Sequence, residues 1–184
     1  HIVVVSSKAK TGIEAYLAPS ADAVKRVRDS GRTELADRLA RIGSDVRISV
    51  VYQDAPRGLG HAIGCARSAV GNEPFAVLLP DELMGDSSLL TQMSEMFVQQ
   101  GKSVVGLKQV PMSEVSAYGC VSTTAAPTAS GEVSVTGVVE KPALHEAPSD
   151  IILIGRYVLH TGMFEMLDAL KPAPSGEIQL QMHC

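Results

Sequence analysis

Four largely apolar stretches, HIVVV at 1–5, which is β-branched after its first residue, VRISVVY at 46–52, PFAVLLP at 74–80 and KSVVGLKQV at 102–110, are separated by segments with apolar residues at helical spacing. No other feature of the chain limits its fold so strongly. Runs without polar alternation are the pattern of strands covered on both faces, and a repeated strand, helix, strand rhythm joins parallel neighbours through right-handed crossovers. The first two thirds are therefore predicted to form a mostly parallel, doubly wound sheet flanked by helices.

The intervening segments carry definite stops. From Ser20 to Ile42 apolar residues recur at helical intervals among Lys, Arg, Asp and Glu, and Gly31 splits the run in two, the charges forming a solvated face. GHAIGCARSAV at 60–70 has helical spacing and ends on Gly71 and Asn72. Ser87 caps SLLTQMSEMFVQQ, in which Leu89, Leu90, Met93, Met96 and Phe97 share one face and fill a core. Beyond residue 110 the rhythm changes. YGCVST, GEVSVTGVVEKP and IILIGRYVL read as strands joined by short turns, a mixed or antiparallel extension, followed by a helix over 161–170 that stops before Pro172. TTAAPTASG at 123–131 reads as a mobile loop. The expected fold class is α/β.

At 184 residues, with 45% apolar and 20% charged content, the chain has material for one core, and disordered and fibrous classes are excluded. Acidic residues outnumber basic ones by 20 to 16, which leaves no basic footprint for nucleic acid or an anionic membrane. No apolar run approaches the roughly 20 residues of a membrane span, and nothing reads as a signal peptide, so the cytoplasm is the expected compartment. Cys65, Cys120 and Cys184 are too widely spaced for a zinc or redox pair, and Cys65 reads as a small core residue. The absence of a P-loop, HExxH, nucleophile elbow or zinc pattern argues against hydrolases and kinases.

In open α/β sheets ligands bind beyond the carboxyl ends of the strands, and four clusters fall there. QDAPRGLGHA at 53–62 passes from strand to helix through Gly58 and Gly60, whose bare backbone admits a phosphate or a base edge. A simple tight turn is the alternative, since Ile63 breaks the full GxGxxG spacing. LLPDEL at 78–83 ends an apolar strand on Asp81 and Glu82. Pro80 halts the ladder, so the Asp81 carboxylate should emerge at the mouth of the sheet, where hard oxygen suits magnesium carried in with a nucleotide's phosphates. A cap for the helix near Ser87, or a plain turn residue, is the competing reading.

VVEKP at 138–142 ends another strand on a carboxylate and an ammonium. Glu140 offers acceptors for sugar hydroxyls and Lys141 a mobile charge for phosphate. Alternation sends neighbours to opposite faces, so both serve one site only if the ladder ends at Pro142 and twists; otherwise they form a surface ion pair. In AYGCV at 117–121, Gly119 lets a ligand approach the backbone and Tyr118 offers a wall, unless the glycine marks a β-bulge. His61 reads as a packing or capping residue, and His145 and His160 carry no role.

In this order, GLGHAIGCARSAVGNEPFAVLLPDEL, VPMSEVSAYGCV, VTGVVEKPALHEAPSDIILIGRYVL and KPAPSGEIQL closely resemble the bacterial UTP–glucose-1-phosphate uridylyltransferases, also called UDP-glucose pyrophosphorylases, over about residues 46–180. The opening HIVVVSSKAKTGIEAYL is similar to the strand and helix after that family's first βα unit. The resemblance implies a Rossmann-like fold of the glycosyltransferase-A type. It also implies a Mg2+-dependent reaction joining UTP and α-D-glucose 1-phosphate into UDP-glucose and pyrophosphate. By motif position, Gln53 and Gly58 would meet the uracil, Asp81 would bind the metal, Gly119 and Glu140 would hold glucose hydroxyls, and Lys141 would hold the sugar phosphate. Asp81 and Lys141 would then be the catalytic residues, working by positioning and charge neutralisation. The implied assembly is a homodimer or homotetramer.

The family's glycine-rich loop with its Arg, and the Pro-Lys segment after it, do not occur in this chain, so no turnover is expected from these 184 residues alone. Where relatives read Asp-Asp, Asp81 is followed here by Glu82, a longer carboxylate expected to act only indirectly. GEIQL continues into Gln181 and Met182 rather than Thr-Asp, which sets Glu177 and the residues after it apart from the family pattern. Residues 1–184 are thus expected to be a single nucleotidyltransferase domain lacking its nucleotide-binding loop and its C-terminal end. Two rival readings are a sugar-1-phosphate thymidylyltransferase, or a paralogue for another hexose, and a non-catalytic relative that binds the nucleotide sugar.

Overall fold

The structure, a computed structural model, describes residues 1–10, 12–17, 20–41, 46–129, 131–170, 176 and 178, with the backbone alone at 14–16. Pro172, Glu177, Gln181, Met182 and Cys184 lie outside the described residues. The chain divides into two compact units, one from the described parts of His1–Gly71 and Met166–Gln179, the other from Asn72–Glu165.

In the first unit, β1 (Ile2–Ser6) and β2 (Ile48–Tyr52) pair in parallel, with Ile2 opposite Ile48 and Ser6 opposite Tyr52. Between them in the chain come α1 (Gly12–Leu17), α2 (Ala21–Asp29) and α3 (Thr33–Arg41). Ser20 caps α2 by accepting from the Ala23 amide at 3.2 Å. Gly31, at φ 81°, makes the break between α2 and α3 in a left-handed conformation that costs glycine little. The charges of these helices do form a solvated face: Lys25–Asp29 and Arg28–Asp37 are exposed pairs at 2.5 and 2.6 Å, each worth about 0.2–1 kcal/mol. The predicted helix over 60–70 is two helices, α4 (Leu59–Cys65) and α5 (Arg67–Val70), meeting at the buried Ala66. Cys65 is only half-buried, because it lies at the end of α4.

The second unit contains β3 (Phe75–Leu78), α6 (Ser88–Gln100), β4 (Val104–Gln109), β5 (Gly119–Thr123), β6 (Val135–Glu140) and β7 (Ile151–Leu159). Short 3-10 turns at Met112–Ala117 and Leu144–Glu146 precede β5 and β7, and α7 (Met163–Ala169), which follows β7, belongs to this unit only as far as Glu165. Strand β7 is the spine of this unit. Tyr157 lies opposite both Val77 of β3 and Val105 of β4, so those strands take its two edges. Ile152 lies opposite both Lys108 of β4 and Cys120 of β5, which puts β5 on the same edge as β3.

Strands β3 and β4 do run in the same direction, as the βαβ rhythm requires, but β7 is inserted antiparallel between them. Parallel pairing among the described residues is confined to β1 and β2. Apolar periodicity identifies a strand without naming its neighbour, and here the neighbour arrives late in the chain. Nor is β3 covered on both faces: Phe75 and Val77 are half-buried, whereas Leu78 is 53% exposed. The α/β class and the antiparallel extension after residue 110 are as expected.

Among the described residues, Ile152, Leu159, Val115, Val121 and Cys120 are the largest side chains sealed from solvent. Full burial of each aliphatic side chain is worth about 1.5–3 kcal/mol. Met93 packs on Val104 and Val158 with Leu89, Leu90, Met96 and Phe97 around it, so the apolar face of α6 is core. Ser87 occupies the N-cap position of α6 without a side-chain bond, and Asp86 instead accepts from the Ser88 amide at 2.8 Å. Among the described residues no helix is long and apolar enough to cross a membrane.

Candidate functional site

Two strands lie one behind the other along one edge of β7. Strand β3 ends with Leu78 opposite Arg156, and the Leu79 amide then donates to the Gly155 carbonyl at 2.9 Å. Strand β5 begins three residues further along, with Cys120 opposite Ile152. Between the tail of the first and the head of the second the ladder is interrupted, and strand ends released from a ladder can present side chains to a ligand. Asp81 stands just past that tail and Gly119 at that head. Strand β6 returns antiparallel to β5 and sets Glu140 opposite Gly119.

The Glu140 carboxylate occupies the space a side chain at Gly119 would take: its Oε2 lies 3.0 Å from the ideal Cβ position. The register shift in this ladder falls between Ser122 and Thr123, so Gly119 does not mark a bulge. Its missing side chain instead admits the carboxylate. Immediately after Glu140 the chain turns sharply. Lys141 adopts φ 45°, the one positive φ of a non-glycine residue among those described, while its amide donates to the Tyr118 carbonyl at 2.9 Å. A left-handed conformation costs such a residue roughly 1–2 kcal/mol. The ladder thus ends at Glu140, short of Pro142, and the turn at Lys141 breaks the alternation that would otherwise send neighbouring side chains to opposite faces. No ion pair joins Glu140 and Lys141 among the described residues.

Asp81 is exposed and Glu82 half-buried, and with Asp86 bonded to the start of α6 neither carboxylate serves as its cap. Hydrogen bonding from Ser88, through its hydroxyl first and then its amide, holds the Asp86 carboxyl below its ordinary pKa. Tyr157, buried on β7, has its hydroxyl pushed above the ordinary tyrosine value, first by burial and then by the negative charge of Glu140, Asp81 and Glu82. One phenol therefore feels the carboxylates of two separate sequence clusters. Neither Tyr157 nor its neighbour Arg156 belongs to the four clusters at the strand ends. Their signal was an Arg-Tyr pair inside the otherwise apolar strand IILIGRYVL. No group of three or more His, Cys, Asp and Glu that could hold a metal ion occurs among the described residues.

In the first unit, Gln53 follows β2 and donates its amide to the Ser6 carbonyl at 2.7 Å. Its side-chain Nε2 donates to the Gly58 carbonyl at 3.2 Å and stands 2.9 Å from His61 Nδ1. Gly58 is the N-cap of α4 at φ 87°, where any side chain would be strained. A Cβ on Gly60 would meet the Ile178 carbonyl at 2.8 Å, so that glycine serves a close backbone approach inside the unit. Gln53 and Gly58 thus come together in the first unit, and Asp81, Gly119, Glu140 and Lys141 around the strand junction of the second.

An α/β fold that gathers carboxylates and a lysine at strand ends is suited to positioning charged substrates rather than to covalent catalysis. The family described as nucleotidyl transferase matches residues 9–184, and the chain belongs to that family. It is 36% identical over 181 residues to the UTP–glucose-1-phosphate uridylyltransferase YngB of Bacillus subtilis (strain 168), covering 97% of this chain and 60% of the relative. A crystal structure of apo UDP-glucose pyrophosphorylase aligns with a TM-score of 0.84 and 32% identity, over 96% of this chain and 65% of that one. A UDP-glucose pyrophosphorylase complexed with UDP-glucose aligns with a TM-score of 0.80 and 31% identity, over 97% and 65% of the two chains. The chain thus spans about 60% of the length of the curated relative it matches.

Proposed function

We propose that the protein to which this chain belongs joins UTP and α-D-glucose 1-phosphate into UDP-glucose and pyrophosphate. The observation that carries this reading is the strand junction itself. An acceptor for hydroxyls, Glu140, rests against the bare backbone of Gly119, with the strained Lys141 beside it, and Asp81 follows the strand that precedes Gly119 along the same edge of β7. A sugar phosphate meeting a nucleotide needs such a set: acceptors for the ring, a cation for its phosphate and hard oxygen for a metal. The uridylyltransferase and UDP-glucose pyrophosphorylase relatives support the choice of uridine and glucose.

The donor set fits magnesium. Asp81, with Glu82 next to it, supplies one or two carboxylates, and Mg2+ retains several waters and takes substrate phosphate oxygens rather than an all-protein cage. When bound, the ion offsets the negative charge between the two phosphorylated substrates. In this proposal Glu140 accepts hydrogen bonds from glucose hydroxyls, and Gly119, by leaving room for that carboxylate, fixes where the sugar is held. Lys141 neutralises the sugar phosphate, one of whose oxygens attacks the α-phosphorus of UTP while the bond to pyrophosphate breaks. Gln53 and Gly58 take the uracil, the Gln53 amide offering both a donor and an acceptor. The proposed compartment is the cytoplasm and the proposed assembly a homodimer or homotetramer.

The test is an assay of the full-length protein with Mg2+ and glucose 1-phosphate, offering UTP and dTTP separately. UTP should turn over faster. Faster reaction with dTTP would make the protein a thymidylyltransferase, and tight UDP-glucose binding without turnover of either nucleotide would make it a non-catalytic relative.

A further inference from the structure

Arg156 is a buried cation, 7% exposed, in the middle of β7. Its guanidinium donates to three backbone carbonyls: Leu79 at 3.0 Å, Gly155 at 2.8 Å, and Glu82. No carboxylate pairs with it among the described residues. Removing a guanidinium from water is costly unless its donors are satisfied, so the carbonyls must be held where the fork can reach them. Two of the three belong to the turn after β3, one on each side of Pro80 and Asp81.

The residue before Arg156 acts on the same turn. A Cβ on Gly155 would stand 2.6 Å from Leu79 Cβ, and the Gly155 carbonyl accepts from the Leu79 amide at 2.9 Å. Apolar packing gives this turn little support. Leu83 is 93% exposed, and a cleft of about 340 Å³ opens beside it, lined by Leu78, Glu82, Met84, Leu90 and Arg156 among others. A weak turn bond, Glu82 amide to Leu79 carbonyl at 3.4 Å, closes the loop from within.

We propose that Arg156 is the positioning residue of the candidate site: its fork grips the carbonyls on either side of Asp81 and so aims that carboxylate, with Gly155 making room for the gripped turn. This rests on the reading of Asp81 as the metal-binding carboxylate. Arg156 itself touches no substrate in this scheme. Its contribution is to restrict a turn that would otherwise sample orientations in which Asp81 misses the ion.

The test compares Arg156→Met, which keeps bulk and removes the fork, with Arg156→Lys, which keeps charge and part of the donor set, and with Asp81→Asn, all in the full-length protein. Two quantities are read: amide hydrogen exchange along the chain, and Mn2+ affinity by electron paramagnetic resonance. Arg156→Met should speed exchange within 79–84 by about tenfold while β4 and the rest of β7 stay protected. Mn2+ affinity should fall by about tenfold, as for other residues that orient a metal ligand. Arg156→Lys should recover part of both effects, and it carries the test alone if the methionine variant does not fold. Unchanged exchange at 79–84, equal acceleration throughout the sheet, or faster exchange with unaltered Mn2+ affinity would each overturn the proposal. Asp81→Asn that binds Mn2+ as tightly as the parent would instead overturn the metal reading, and the positioning role with it.

Discussion

Glu140 and Gly119 share one volume: the carboxylate Oε2 stands 3.0 Å from where the glycine's Cβ would be. An antiparallel register makes them opposite neighbours, and a bare backbone at one position makes space for the charge at the other. Gly119→Ala sets a methyl against the end of a flexible side chain, which can move aside cheaply. Its melting temperature should therefore change little. Displacing Glu140 by even a fraction of an ångström should nevertheless lower kcat/KM for glucose 1-phosphate in the full-length protein by about 10- to 100-fold. Steady-state kinetics beside a thermal melt decide the matter, and unchanged kinetics would detach Gly119 from the site.

Lys141 combines a strained backbone with a charge that finds no ion pair among the described residues, a combination found where function over-determines geometry. Lys141→Ala and Lys141→Gly should both cut kcat/KM for glucose 1-phosphate at least about tenfold, or roughly 1.4 kcal/mol. They should differ in stability. Glycine relieves the left-handed strain of roughly 1–2 kcal/mol, less what its freer unfolded chain returns, so the Gly variant should melt above the Ala variant. Equal melting temperatures would contradict the strain argument, and kinetics like the parent's would remove the lysine from the site.

The Tyr157 hydroxyl should ionise late, since it is raised by burial and then by Glu140, Asp81 and Glu82. The folded state holds this proton more tightly than the unfolded chain. Its contribution to stability is therefore complete below the unfolded value near 10.0 and is lost as pH rises through the higher folded value. Ultraviolet titration of the parent should show a late phenolate step that disappears in Tyr157→Phe and moves to lower pH in Glu140→Gln. A late step unaffected by Glu140→Gln would mean the two groups are too far apart to share a site.

Asp86 provides the opposite case at the start of α6. Its carboxyl is lowered by the hydrogen bonds from Ser88, so the unfolded chain takes up its proton first. The stabilisation is present above the unfolded value of 3.8 and is lost as pH falls through the folded one. Asp86→Ala should lower the melting temperature at neutral pH, and the gap to the parent should close in acid. A gap independent of pH would show that the carboxylate does not act as the cap.

The strand ends were legible in the sequence because their signals are local. Pro80 and the residues after it halt β3, and IILIGRYVL is bounded by turn residues at both ends, so β7 spans the same nine residues in the structure. Gly119, Glu140 and Lys141 were likewise singled out from their own stretches, although the ladder stops at Glu140 rather than Pro142 and the glycine answers a carboxylate rather than a bulge. Ser87 holds the N-cap position as expected, but the capping oxygen comes from Asp86, since position alone does not say which neighbouring oxygen reaches the Ser88 amide. Arg156 and Tyr157 passed unnoticed, because nothing within their own strand says what lies beside it.

By itself, the order of apolar runs, prolines and glycines determined which segments are strands, where they stop and which chemistry waits at their tips, since each depends on a few adjacent residues. Only the tertiary structure decided that β7, late in the chain, enters antiparallel between β3 and β4 and lines up β5 behind β3 on one edge. Strand pairing is chosen by burial and hydrogen bonding between distant segments. That choice alone put Glu140 against Gly119, and the Arg156 fork on the turn that carries Asp81.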